Sequence, residues 1–158
     1  MKIKVTPIAD SVNEDVIKRF EEALGSKLPE DYRGFMLDHN GGDPEERCVF
    51  KLKGVDGPYS ESLVRYLFAF SAETDESIEY NYEVYTLAKR LPENILPIGE
   101  DPGGNLICLS FQGEDAGKVY FWDHEQEGLT ESSSTYSNLQ IIADNFYEFI
   151  DGLEEESY

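Results

Sequence analysis

Basic residues are scarce in this chain, and they run out early. It holds 13 lysines and arginines against 33 aspartates and glutamates, a formal net charge of −20 over 158 residues. Residues 1–90 carry 18 acids and 12 bases, whereas residues 91–158 carry 15 acids and one base, Lys118. Such a field repels nucleic-acid phosphates and anionic membrane, so no direct nucleic-acid or membrane binding is expected. It attracts a basic protein and speeds the encounter. Cysteine is also rare. Cys48 and Cys108 sit in strand-like apolar contexts and read as reduced, buried thiols, with no disulfide framework implied. The two histidines, His39 and His124, stand in no recognisable metal-ligand spacing, so neither metal nor cofactor is expected. No apolar run is long enough to span a bilayer. The opening residues, MKIKVTPIADS, lack the apolar core of a signal peptide, so a cytoplasmic location is expected.

What the chain has in quantity is aromatic surface. Ten tyrosines and nine phenylalanines, in a composition 40 % apolar, exclude a disordered chain. The length suits one domain, residues 1–158, with one core.

Ser11-Val12-Asn13-Glu14 has the form of a capping box, and Val16, Phe20 and Leu24 then recur at helical spacing, with Gly25 as a stop. A second helix opens at Leu28-Pro29-Glu30-Asp31-Tyr32, with proline at its first position. Tyr32, Phe35 and Met36 form its apolar face, and Asn40-Gly41-Gly42 ends it. Residues 49–53 and 64–70 read as strands. Residues 74–90 return to helical periodicity, with Ile78, Tyr82 and Tyr85 on one stripe and Leu87 and Leu91 near its edge.

Residues 96–125 read as a three-stranded meander. Asp101-Pro102-Gly103-Gly104 is turn chemistry, residues 106–111 alternate across two faces, and Val119-Tyr120-Phe121-Trp122 is an aromatic strand. Residues 127–137 read as a polar loop, and residues 139–153 as one long amphipathic helix. Two helices, strands, a helix, a meander and a closing helix predict an α+β domain, a mainly antiparallel sheet packed with about four helices.

These segments, in this order, resemble the SUKH superfamily, whose members include bacterial toxin-immunity proteins and yeast regulators of cell-wall glucan synthesis. The likeness rests on Leu28-Pro29-Glu30-Asp31-Tyr32 with Asn40-Gly41-Gly42, and on Leu96-Pro97-Ile98-Gly99 with Asp101 and Gly103-Gly104-Asn105. It also rests on Gly117-Lys118-Val119-Tyr120-Phe121-Trp122-Asp123-His124-Glu125 and on the closing Phe146-Tyr147-Glu148-Phe149-Ile150. The resemblance implies a non-enzymatic protein that binds a cognate toxin, a basic nuclease domain for preference. The eukaryotic relatives imply a scaffold or regulatory adaptor as the alternative.

The composition supplies candidates for that contact. The acids of the meander and its loops, Glu100, Asp101, Glu114, Asp115, Asp123, Glu125 and Glu127, are placed to meet a basic surface, with Tyr120 and Trp122 as aromatic anchors. Gly103-Gly104 is no phosphate loop, because no Lys-Ser/Thr and no helix follow it. The paired carboxylates are the only equipment an enzyme would have here.

Overall fold

The computed structural model describes residues 3–54, 57, 60–126 and 139–156. The element order is β1 (Val5–Thr6), α1 (Glu14–Leu24), α2 (Glu30–His39), β2 (Asp43–Pro44), β3 (Cys48–Lys51), β4 (Glu61–Val64) and β5 (Tyr66–Leu67). Then come α3 (Ile78–Asn81), which continues as a π-helix (Tyr82–Leu87), β6 (Ile95–Glu100), β7 (Leu106–Ser110) and β8 (Val119–Trp122). A turn of 3₁₀-helix (His124–Gln126), β9 (Leu139–Ala143), α4 (Phe146–Asp151) and β10 (Glu154–Glu155) close the chain. Strands β5-β6-β7-β8-β9 form the main sheet, β10-β3-β4 a smaller one, and β1-β2 a ribbon; every pairing is antiparallel. This is the α+β architecture that the order of segments predicts.

The meander is the centre of the molecule because both of its faces are apolar. Every residue of β7 is buried, and β6 is buried up to Glu100. Trp122 meets Tyr85 of the π-helix edge-on, with ring centroids 5.6 Å apart. Phe121, next along the strand and so on the opposite face, lies against Phe50 of β3 at 5.8 Å. The sheet is thus covered on one face by the α3–π segment and on the other by the smaller sheet. Phe20 of α1 locks onto Phe70 and Tyr82, and Phe146 of α4 onto Tyr32 and Phe35 of α2. Arg65 alone separates β4 from β5, so one stretch of chain passes from the small sheet to the large one; its N–H donates to the Glu100 carbonyl at 2.8 Å.

Several boundaries differ from the sequence reading. Asn13, not Ser11, caps α1, its side chain accepting from the Val16 N–H; Gly25 ends that helix at φ 74° as expected. Pro29 stands one place outside α2. The expected helix at 74–90 starts only after Ser77, whose hydroxyl caps the Tyr80 N–H, and then widens into π geometry. The expected helix at 139–153 is half strand. Leu139–Ala143 pairs with β8, and Asn145, extended and accepting from the Glu148 N–H, starts a helix of six residues. The helical spacing of Leu139, Ile142 and Ala143 steps over Ile141. Two adjacent β-branched residues beside an unpaired edge of β8 favour the ladder. The polar loop expected at 127–137 lies outside the described residues.

Candidate functional site

The meander separates the predicted acids into two groups. At one end of the main sheet the register sets Tyr66 opposite Glu100, Glu100 opposite Leu106, and Leu106 opposite Trp122. Glu100, the Asp101–Asn105 turn, Asp123 and Glu125 therefore share that end. Glu114 and Asp115 lie in the loop between β7 and β8, at the other end. The five residues of β7 between them span roughly 16 Å at ~3.3 Å per residue.

Three of the predicted contacts are structural instead. Trp122 is fully buried, so it is a core residue and no surface anchor. Asp101 is buried as well. Its carboxylate accepts from the Gly103 N–H (2.9 Å), the Asn105 N–H (2.8 Å), the Asn105 side chain (3.0 Å) and the Ser62 hydroxyl (2.8 Å). It ties the turn to β4, and the N–H groups that a phosphate loop would offer a ligand are taken by this side chain. Asp115 accepts from Ser110 Oγ (2.9 Å), Asn94 Nδ2 (3.1 Å) and the Tyr120 hydroxyl (2.9 Å). Burial, and then that bond to Asp115, pushes the Tyr120 phenol up to about 12. Tyr120 is half-buried with its polar end already engaged, which makes it a weak anchor.

What remains exposed or half-exposed is Glu100, Glu114, Asp123 and Glu125. Asp123 accepts from the Glu125 N–H at 3.0 Å, which fixes the exit from β8. Beside it, the His124 N–H donates to Asn105 Oδ1 (3.0 Å), and its ring contacts the Gly103 carbonyl (2.8 Å). Among the described residues, Glu114 and Glu125 have no ion-pair partner. Glu127 lies outside the described residues.

The structure adds two acids that sequence reasoning missed. The Tyr66 phenol is pushed up by burial, by its hydrogen bond to Glu100, and by the charges of Glu100, Asp75 and Glu76. Asp75 and Glu76, from the loop before α3, thus lie near enough to Tyr66 for their charges to act on its phenol. Residues 73–83 hold five acids and no base, a run visible in the sequence. Among the described residues, no three His, Cys, Asp or Glu side chains converge as a metal set, and both cysteines are free and buried.

The turn itself is a scaffold. Gly104 has φ 85°, and a Cβ there would meet only the His124 ring, at an ordinary 3.6 Å. Gly104→Val therefore pays in backbone strain alone, about 1–3 kcal/mol. The expected result is a melting midpoint several degrees lower, with partner affinity retained at temperatures where the variant is folded. An unchanged midpoint in a thermal melt would show that the turn tolerates a β-branched residue.

A buried aromatic meander flanked by helices on one face and a smaller sheet on the other, with acids at one end, defines an α+β domain. The model of the SMI1 / KNR4 family (SUKH-1) matches residues 11–152, and the chain belongs to that family. A relative from Bacillus subtilis (strain 168), the SPbeta prophage-derived uncharacterized protein YokK, is 28 % identical over 157 residues. The match covers 92 % of this chain and 77 % of that protein. Among the described residues no helix is long and apolar enough to cross a membrane.

Proposed function

We propose that this chain is a cytoplasmic immunity protein that neutralises a cognate toxin by stoichiometric binding, with no catalysis of its own. The observation that carries the reading is the acidic end of the main sheet, where Glu100, Asp123 and Glu125 come from two separate segments, with Asp75 and Glu76 near enough for their charges to act on Tyr66. The sequence supports it further: one base stands among the last 68 residues. The partner is a basic domain, a nuclease for preference, because a nuclease must itself attract phosphate. Acids set where substrate phosphates would bind occlude such a site without any chemistry.

The test is rescue. Candidate toxin domains encoded beside this gene are expressed in cells with and without the protein. Survival only with the protein, and a one-to-one complex on mixing, are the expected results; survival without a complex would indicate an indirect, regulatory action. Binding should also weaken with salt. The screening length falls from ~10 Å at 0.1 M to ~3 Å at 1 M, so the on-rate should drop first. Kinetics that ignore salt would remove the electrostatic argument. Glu125→Lys is the sharper mutation. The side chain is exposed, so stability should move by no more than ~0.5 kcal/mol. Unrelieved repulsion against a basic partner should cost affinity by several kcal/mol. A variant that binds like the wild type would move the contact away from the end of β8.

A further inference from the structure

The α3–π segment presents two exposed apolar side chains, and its position is informative. Tyr80 and Leu87 are 48 % and 59 % exposed, two of the three large apolar side chains left exposed among the described residues. The buried face of the same segment is fully used: Ile78 is in the core, Tyr85 meets Trp122, and Thr86 donates to the Ile95 carbonyl at 2.6 Å. These contacts fix its direction. Ser77 bridges to Ala69, one residue past Phe68, whose N–H donates to the Ile98 carbonyl, so α3 begins beside the middle of β6. Thr86 ends at Ile95, the first residue of that strand. There Asn94 holds Asp115, beside Glu114.

The segment therefore runs from the middle of β6 to its Ile95 end, where the loop that carries Glu114 and Asp115 lies. Asp75 and Glu76 precede the segment, Glu83 is exposed between Tyr80 and Leu87, and Glu114 lies past its end. Lys89 and Arg90 lie just beyond Leu87; the Arg90 guanidinium stacks 4.4 Å from the Tyr85 ring. The π geometry is part of the device. It takes one residue more per turn than an α-helix, and such segments concentrate at functional sites. Tyrosine is among the residues that interface hot spots favour.

We propose that the outer face of the α3–π segment is the docking surface for the basic partner, with Tyr80 and Leu87 as its apolar anchors. The inference rests on the protein-binding reading above and locates that contact. The occupant is a protein surface with an apolar recess flanked by lysine and arginine. Charge sets that choice: residues 73–90 hold five acids against Lys89 and Arg90, and the Arg90 guanidinium is stacked on the Tyr85 ring.

The probe is the purified toxin domain that passes the rescue test. Tyr80→Ala with Leu87→Ala should raise its Kd about 30-fold or more, the loss typical of hot-spot truncation. Both side chains are exposed, so the melting midpoint should stay within a degree or two of the wild type. Tyr147→Ala on α4, which removes the third exposed apolar side chain (64 %), should change Kd less than about twofold. An unchanged Kd in the double variant, with rescue intact, overturns the docking surface alone. So does a Tyr147 effect larger than the double variant's. A dimer of the free protein that Leu87→Ala abolishes would also overturn it, by giving the face to a second copy. If no toxin domain is neutralised by the wild type, the immunity reading fails and this inference fails with it.

Discussion

Phe146→Ala is expected to lose about 3–5 kcal/mol of folding free energy, the usual cost of truncating a buried phenylalanine. The side chain is 1 % exposed. Its ring meets Tyr32 edge-on at 5.0 Å, Phe35 at 5.0 Å and Phe149 at 6.1 Å. It is thus the joint between α2 and α4. That joint matters because α4 has six residues, far too few to be helical alone. Its position depends on the rings beneath it and on the Asn145 cap. The loss also reaches the small sheet, because Phe149 of the same helix packs on Phe50 of β3 at 5.8 Å. Denaturant unfolding should show a lower midpoint at similar slope. Tyr147→Ala, one residue on and exposed, should stay within ~0.5 kcal/mol. Equal stability of the two variants would mean that α4 is held by its cap and not by its core face.

The legible parts of the fold were those whose signals are local. Gly25 at positive φ, the Asp-Pro-Gly-Gly turn and the aromatic meander could each be read from a few neighbouring residues. The misread parts depended on a partner far along the chain. Leu139–Ala143 is a strand because β8 has an open edge, a fact no window of fifteen residues contains. The segment after Ser77 becomes a π-helix where it packs over β6, again a tertiary condition.

The candidate site divides in the same way. Charge and turn position picked out Glu100, Asp123 and Glu125 as acids of the meander and its loops, and the strand register brings them to one sheet end. Those two signals could not show that Asp101 and Asp115 spend their carboxylates inside the chain, because Ser62 and Asn94 are 39 and 21 residues away. Trp122 is buried because the π-helix covers its face, and that cover comes from the same misread segment. Asp75 and Glu76 were visible as part of an acid run, but nothing local ties them to Tyr66, whose phenol feels their charge together with that of Glu100, its partner across β5 and β6.

Gly41→Val is expected to be the most damaging single change, at least ~4 kcal/mol, a range that needs a specific mechanism. Two are present here. The residue has φ 70°, strained for any side chain and most for a β-branched one. A Cβ would also fall 2.6 Å from the Leu67 carbonyl oxygen and against that of Phe68, where main chain must move and no side chain can swing aside. The closeness is required. Gly42 and Leu67 exchange hydrogen bonds at 3.0 and 2.8 Å, and Asn40 is locked on either side of the same crossing. The Asn40 side chain donates to the Asp10 and Phe70 carbonyls and accepts from the Phe70 N–H at 2.8 Å. Asn-Gly-Gly is therefore more than a helix stop: it welds the end of α2 to the strand that leads into α3. Gly34→Ala is the control, since that glycine is inside α2 with open space about its Cβ position. It should stabilise by ~0.5–1 kcal/mol. If Gly41→Val folds with a near-normal midpoint, the crossing does not hold β5 in place. The α3–π segment, which starts against Ala69 just past β5, would then lack the rigid base on which the proposed docking depends.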